Sequence, residues 1–420
     1  GVARTGTTDS DGCYVRSALI SRQRPAGHDK LIAAGLVYLN LGMIDMGFNF
    51  RLLILLLATF CLVLSTASAD EPIPLKIGDP MPSFDLPGVD GKNHTDAEYR
   101  DAKLLLILFT CNHCPTAQAY EDRIETLEAE YRQRGVRLVA ISPNDDKAVR
   151  LDELGYSDLG DSLEDMKLRA EDANFAFPYL YDGETQSVSR AFGAKATPHA
   201  FLFDAERKLR YAGRIDDGEV GKVTKHDLRD AIEAVLAGRD VSVPTTRVFG
   251  CSVKWSAKRA SAAESIKKWE QEPVELNLID KEGIAKLVAG DSENYRLINL
   301  WATWCGPCVT ELPLLVDVNR MYRRRHFQLI TISMDDPESK EDALKILKET
   351  HASTTNFISQ VTDTDEFADL FDEKWPGPLP YTILVSPDGE IVYRKEGEID
   401  LRSLRREIAD RLGRTYASRK

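Results

Sequence analysis

The sequence predicts an α/β protein with two mixed sheets, each flanked by helices on both faces. The same order of segments occurs twice, near residues 103–212 and again near 296–412. In each copy a continuous apolar strand leads directly into a Cys-x-x-Cys pair and then into an amphipathic helix. Strands that alternate with helices favour parallel pairing, and the hairpin that closes each copy adds antiparallel strands.

Periodicity defines the elements of the first copy. Residues 103–109 form an unbroken apolar run, which is typical of a strand buried on both faces. Residues 117–134 carry apolar side chains at spacings of four, three and four, so we predict a helix that ends at Gly135. The other predicted strands of this copy are 136–141, 200–203 and 209–212.

The second copy repeats this order. Its predicted elements are strand 296–301, a helix to 322, strand 327–333, helix 340–350, strands 381–385 and 390–395, and a final helix 401–412. Ser261 and Glu264 resemble a capping box, which predicts a short helix ending near Trp269. We therefore expect two domains, 70–247 and 273–420, separated by a linker at 248–272 that contains this helix.

Residues 46–69 have the layout of a signal peptide. Met46 opens the segment, Arg51 supplies a positive charge, and an apolar core precedes the small residues Ala67 and Ala69. This pattern predicts export to the periplasm or cell envelope, with an uncleaved signal that anchors the chain as the alternative. Residues 1–45 are expected to lie upstream of the natural start and are left out of the fold prediction.

Composition excludes several classes of protein. The 420 residues are 43% hydrophobic and 29% charged, which is an ordinary globular composition. The longest apolar run, 52–64, is shorter than the roughly 18 residues that a membrane-spanning helix needs. The formal net charge of −13 argues against nucleic acid as a partner.

The second cysteine pair, Cys305 and Cys308, lies in the sequence WATWCGPC. A cysteine at the start of a helix has its pKa lowered by the unpaired N–H groups, so it can supply the thiolate that disulfide exchange requires. The second cysteine then displaces the mixed disulfide that the first one forms. This stretch closely resembles the thioredoxin active site, and the resemblance implies a thioredoxin-like domain with a redox-active dithiol.

The same resemblance implies roles for residues around this pair. Pro380 stands before a strand, where thioredoxins have a cis-proline that brings the preceding backbone beside the sulfurs. Glu311 matches the exported TlpA/ResA branch of thioredoxin-like proteins, in which a glutamate at this place is linked to proton handling. Asn299 stands where cytosolic thioredoxins have a buried aspartate. A solvated helix position is the alternative interpretation of Glu311.

The first pair, Cys111 and Cys114, lies in the sequence FTCNHCP. Together with the segment that begins at Ile77, it resembles a redoxin or peroxiredoxin-like group that carries CNHCP. The Thr or Ser and the Pro that precede a peroxidatic cysteine at fixed spacing are missing. A protonated His113 would stabilise the Cys111 thiolate and make this dithiol the more oxidising of the two. Pro198 matches the cis-proline position.

Two other chemistries remain open for the first pair. Cys111, Cys114 and His199 resemble the copper-delivery sites of Sco proteins, although the cysteine spacing differs. A thiol-dependent peroxidase is the other alternative. Cys251 is most simply a buried apolar cysteine, and its other interpretations are a thiol that resolves a disulfide with Cys111 or a ligand that completes a metal site.

The sequence thus predicts an exported thiol-disulfide oxidoreductase that acts on protein disulfides and dithiols through two Cys-x-x-Cys sites. It needs no cofactor, and an upstream thiol reductant, either membrane-bound or soluble, is the expected electron source. We expect Cys305 and Cys308 to form a reducing site and Cys111 and Cys114 a more oxidising one. The acidic stretches 161–172 and 363–373 are interpreted as solvated helix faces or loops.

Overall fold

A computed structural model describes residues 72–416 of the chain. The predicted signal segment and the residues before it lie outside the described residues. The first sheet has five strands in the order β5-β4-β3-β7-β8. These strands are β3 (Leu104–Phe109), β4 (Val136–Ser142), β5 (Tyr179–Tyr181), β7 (His199–Phe203) and β8 (Leu209–Gly213). Strands β3, β4 and β5 are parallel, and β7 and β8 add antiparallel pairing.

The second sheet has six strands in the order β10-β13-β12-β11-β14-β15. They are β10 (Asn277–Ile279), β11 (Tyr295–Trp301), β12 (Phe327–Ser333), β13 (Thr355–Ser359), β14 (Tyr381–Val385) and β15 (Ile391–Glu396). The first four of these strands in spatial order are parallel, and the last two are antiparallel. Both sheets are therefore mixed, as the sequence predicts.

Ten α-helices flank the sheets in the described part of the chain. They are α1 (Pro115–Arg132), α2 (Leu163–Ala173), α3 (Ser187–Phe192), α4 (Asp227–Leu236), α5 (Arg259–Glu270), α6 (Lys281–Val288), α7 (Gly306–Tyr322), α8 (Lys340–Glu349), α9 (Thr364–Phe371) and α10 (Leu401–Leu412). None of the helices within 72–416 combines the length and the apolar character needed to cross a bilayer.

Strand β3 shows why its sequence is apolar at every position. Alternate side chains of a strand point to opposite faces of the sheet. Leu106 packs with the α1 side chain Tyr120, whereas Ile107 packs with Phe192 of α3 on the other face. Because both faces are covered, no position of the strand tolerates water, and the strand ends where the first cysteine pair begins.

The two halves pack directly on one another. Leu154, from the loop after β4, belongs to the same buried cluster as Leu315 of α7 and Leu404 of α10. The hydroxyl of Tyr322 donates a hydrogen bond to the carbonyl of Ser157 at 2.7 Å. The described residues, 72–416, accordingly lie within one compact unit.

The interval 248–272, which the sequence predicts as a linker, contributes two structural elements. Strand β9 (Cys251–Ser252) pairs antiparallel with β6 (Ala196–Thr197), beside the first sheet. Helix α5 begins at Arg259, two residues before the predicted cap, so Ser261 lies inside the helix and its predicted capping role is wrong. A further two-stranded ribbon pairs β1 (Asp85–Pro87) with β2 (Asn93–Thr95).

Candidate active site

The second dithiol lies where β11 passes into α7. Cys305 is the N-cap residue of α7, and its Sγ accepts a hydrogen bond from the backbone N–H of Cys308 at 3.3 Å. The two cysteines are joined by a disulfide. Pro307 occupies the first turn, where the missing N–H leaves no hydrogen bond unmade. Local sequence therefore places both sulfurs at the positive end of a helix.

A shallow cavity of about 280 Å³ opens beside this disulfide. Its lining includes Trp304, which is 72% exposed, and Leu379, which precedes the cis peptide bond to Pro380. Cys308 is fully buried, whereas Cys305 retains 6% exposure. Cys305 is therefore the less buried of the two cysteines, and its neighbour in the chain, Trp304, lines the cavity.

Glu311 is buried in α7, with 3% of its surface exposed, so the solvated interpretation of this residue is wrong. Its carboxylate accepts hydrogen bonds from the Asn299 amide at 2.9 Å and from the N–H of Ile399 at 3.1 Å. Burial raises the pKa of Glu311, and these two hydrogen bonds offset part of the increase. The structure thus places a carboxyl group of raised pKa and an amide behind the second dithiol.

The first dithiol lies at the corresponding junction between β3 and α1. Here the N-cap residue is Cys114, the second cysteine of the pair, and Pro115 starts the helix. Cys111 Sγ lies 3.1 Å from the hydroxyl oxygen of Thr197, and Cys114 Sγ lies 3.3 Å from the Thr197 carbonyl oxygen. Thr197 precedes the cis peptide bond to Pro198. Both cysteines are free thiols and both are buried.

His113 is held by a carboxylate that the sequence analysis missed. Its Nδ1 lies 2.5 Å from Asp161 Oδ2, and each side chain is at most 1% exposed. Asp161 also accepts hydrogen bonds from the N–H groups of Asn112 and His113 and from the Asn144 amide. Burial disfavours a charge on His113, but the facing carboxylate outweighs burial and raises the pKa of the imidazole.

The surroundings of the two sulfurs favour ionisation of Cys114 over ionisation of Cys111. Burial opposes ionisation, but hydrogen bonds from the thiols of Cys111 and Cys251 and the nearby charge of His113 hold the pKa of Cys114 well below its usual range. Burial and the neighbouring Cys114 raise the pKa of Cys111. The sequence predicted a thiolate at Cys111, whereas these contacts favour Cys114.

Cys251 joins this site, whereas the sequence alone favoured a buried apolar cysteine. Its backbone N–H donates a hydrogen bond to Cys114 Sγ at 3.3 Å. Cys251 is partly exposed and packs with a small cluster formed by Cys111, Cys114 and Ala117. Three thiols therefore meet at the start of α1.

His199 is placed apart from this group. Its ring packs against Phe201 with centroids 4.2 Å apart, and its Nδ1 accepts a hydrogen bond from the N–H of Lys195. Burial lowers the pKa of His199 to about 3. Among the described residues, the donor atoms close enough to share a metal ion belong instead to Cys111, His113 and Asp161, all within 4.8 Å of one another.

Asp161 and Asn144 were not predicted as part of this site. Both are distant in sequence from the first pair, and neither belongs to a local motif. Asp161 heads the acidic stretch that was interpreted as solvated, yet it is buried. Only a three-dimensional arrangement shows that these residues converge.

Each half thus has a thioredoxin-like arrangement, in which a Cys-x-x-Cys pair at a helix start faces a cis-proline loop. The AhpC/TSA family model matches residues 77–212 and 274–394, which together exceed half of the chain. The chain therefore belongs to the AhpC/TSA family, and the predicted membership of the thioredoxin superfamily is confirmed.

Relatives carry names from thiol chemistry. The thiol-disulfide oxidoreductase ResA of Oceanobacillus iheyensis is 26% identical over 31% of this chain and 58% of its own length. The thiol:disulfide interchange protein DsbE of Yersinia pestis is 29% identical over 40% of this chain and 82% of its own. A hypothetical protein from Sinorhizobium meliloti 1021, for which there is a crystal structure, is 36% identical in sequence to this chain. The match covers 44% of this chain and 97% of that one, with a TM-score of 0.40. The chain thus spans little more than half of the ResA protein.

Proposed function

We propose that the protein is an exported thiol-disulfide oxidoreductase that exchanges electrons with protein disulfides at Cys305 and Cys308. The observation that carries this proposal is the position of Cys305 at a helix start, next to Trp304, which lines the cavity together with Leu379. Leu379 lies outside the strands, so its backbone is available to an extended substrate segment. Pro380 positions this segment, and Glu311 handles the proton of the resolving step.

The first dithiol is the more oxidising centre in this proposal. A thiolate that is stabilised in the reduced protein raises the reduction potential of its disulfide. Cys114 receives this stabilisation from the helix start and from the buried pair of His113 and Asp161. Pro198 holds Thr197 against the sulfurs, as Pro380 holds Leu379 in the other half.

The partners follow from this chemistry and from the sequence. Net reduction of protein disulfides requires an upstream thiol reductant, either membrane-bound or soluble. The signal-like segment 46–69 supports action in the periplasm or cell envelope. The relatives named ResA and DsbE support the reaction class.

Insulin reduction by the full chain tests the assignment of the reducing centre. We expect Cys305→Ser to abolish the activity, because that sulfur begins the exchange, and Cys111→Ser to retain most of it. The two variants are matched, since each removes the first sulfur of one pair. Equal losses in both variants would contradict the assignment.

The order of the two potentials has its own test. The full chain is equilibrated with glutathione buffers, once with Cys305 and Cys308 changed to serine and once with Cys111 and Cys114 changed. The first centre is expected to stay reduced at a higher proportion of glutathione disulfide than the second. If the first centre is the stronger reductant, the proposed direction of electron flow is wrong.

Metal binding at the first centre is a second candidate function. The close approach of Cys111, His113 and Asp161 favours it, and His113 Nε2 is buried without a hydrogen-bond partner among the described residues. Thiolate and imidazole ligands suit Cu(I) or Zn(II). Titration with either ion should show one tightly bound equivalent that is lost in His113→Ala and kept in His199→Ala. The opposite pattern would favour the ligand set with Cys114 and His199.

A further inference from the structure

The backbone edge that precedes the cis-proline differs between the two halves. In the second half, Leu379 lies outside any strand and lines an open cavity. In the first half, the corresponding Thr197 pairs antiparallel with Cys251. In the second centre, an extended substrate could pair with this backbone. In the first centre, strand β9 of the chain itself already occupies the corresponding position.

The segment that carries β9 is built into the first half. Gly250 has a φ of +131°, and a Cβ at this position would lie 2.1 Å from the Thr197 carbonyl oxygen. Val253 is buried in the core, and the N–H of Lys254 donates a hydrogen bond to the Asn144 side chain. An external peptide would have to break these contacts in order to displace the segment.

The same pairing brings a third sulfur to the dithiol. Cys251 donates its N–H to Cys114 Sγ at 3.3 Å, and the side chains of Cys251, Cys114 and Cys111 pack together. Cys251 is the partly exposed member of the three, whereas the other two are buried. Access from solvent to the first centre therefore leads to Cys251 first.

We propose that Cys251 is the thiol through which the first centre exchanges electrons, and that it does so by forming a disulfide with Cys114. The inference rests on the proposed function and deepens it. Strand β9 occupies the edge that protein substrates would use, so the external oxidant is a low-molecular-weight disulfide.

The steps balance as two thiol-disulfide exchanges. The Cys251 thiol passes its proton to the adjacent Cys114 thiolate and, as a thiolate, attacks one sulfur of a small disulfide RSSR, whose S–S bond breaks; the departing RS⁻ takes that proton from Cys114 and leaves as RSH. The Cys114 thiolate then attacks the Cys251 sulfur of the mixed disulfide, and RS⁻ departs as the Cys114–Cys251 bond forms. Two protein sulfurs have lost two electrons, and RSSR has become RSH and RS⁻.

The test uses the full chain with Cys111→Ser, in which Cys114 and Cys251 are the remaining thiols of the first centre. The reduced protein is treated with glutathione disulfide, quenched with acid and an alkylating agent, digested, and analysed by mass spectrometry. We expect a peptide pair linked between Cys114 and Cys251.

A matched control moves the thiol by one residue, combining Cys251→Ser with Ser252→Cys in the same background. Neighbouring residues of a strand point to opposite faces, so the linked pair should disappear although the number of thiols is unchanged. A chain that forms no Cys114–Cys251 link, or one in which the shifted thiol links to Cys114 equally well, would overturn the proposal.

Insulin reduction at Cys305, measured on the same samples, separates this result from the proposed function. Activity without the link refutes only the role of Cys251, and a link without activity refutes only the proposed reaction of the second centre. Retained activity also shows that the second half of each variant is folded. A Cys251→Ala chain gives a second variant that lacks the link should the shifted chain fail to fold.

Discussion

Replacing Asp161 with asparagine removes the charge that faces His113 in the first centre. The two side chains approach to 2.5 Å and are at most 1% exposed. At an effective dielectric constant near 20, opposite charges 3–4 Å apart attract by about 4–6 kcal/mol. Removing one member of a buried pair costs about 3–5 kcal/mol. We therefore expect Asp161→Asn to lower the free energy of unfolding by about 3–5 kcal/mol.

This loss of stability should depend on pH, and the directions of the two pKa shifts determine how. The pKa of His113 is raised in the folded protein. Its contribution to the free energy of unfolding is therefore complete below the unfolded-state pKa near 6.5 and is lost as the pH rises through the folded-state pKa. Burial raises the pKa of Asp161, but the charge of His113 and several hydrogen bonds outweigh it and lower the pKa. The contribution of Asp161 is therefore complete above about 3.9 and is lost as the pH falls through the folded value. The difference between wild type and variant should be largest between about pH 4 and 6.5.

Urea denaturation at several pH values measures this difference. Asp158→Asn is a suitable control, because Asp158 is also buried and lies in the same loop, but its partners are Arg406 and Arg414. Only Asp161→Asn should also raise the pKa of the Cys114 thiol, which can be followed by thiolate absorbance near 240 nm. A stability loss below about 1 kcal/mol, well under the range for a buried pair, would refute the account of this site.

Three further changes have expected outcomes. Glu311→Gln should remove, from the pH profile of insulin reduction, the inflection that the raised pKa of this carboxyl contributes; an unchanged profile would exclude a role in proton transfer. Gly250→Ala should destabilise the protein by about 1–3 kcal/mol in urea denaturation, because the new Cβ would clash with the Thr197 carbonyl at a residue of positive φ. Unchanged stability would show that β9 can shift without cost. Tyr322→Phe leaves the Ser157 carbonyl without this partner and should cost about 1–2 kcal/mol, measured in the same way; no loss would mean that water replaces the hydroxyl.

Sequence patterns predicted the elements that carry the cysteines because those elements obey local rules. The predicted strand 327–333 and helix 401–412 have the observed bounds, and the predicted strand 103–109 differs from β3 by one residue. Each of these segments is apolar or amphipathic with a clear period. The short strands and the helices between β4 and β7 were missed, because each of them is too short or too irregular to sustain a period.

The charges of the first centre could not be predicted in the same way. The adjacent His113 suggested a partner for Cys111, but the position of the helix start decides which sulfur gains from the backbone N–H groups. The carboxylate that fixes His113 comes from a loop 48 residues away. No periodicity or motif spacing links residues this far apart in sequence, so only the fold shows that Asp161 reaches the imidazole.

The two centres differ in which cysteine of the pair lies at the start of the helix. In the second half the first cysteine caps the helix, so the sulfur that gains from the helix start is Cys305, which is also the less buried of its pair. In the first half the cap is Cys114, the second cysteine, and it is fully buried. An ionised sulfur without exposure cannot meet a large partner by itself. A third thiol at the surface of the site removes this difficulty, and strand β9 holds Cys251 in the position that such a thiol requires.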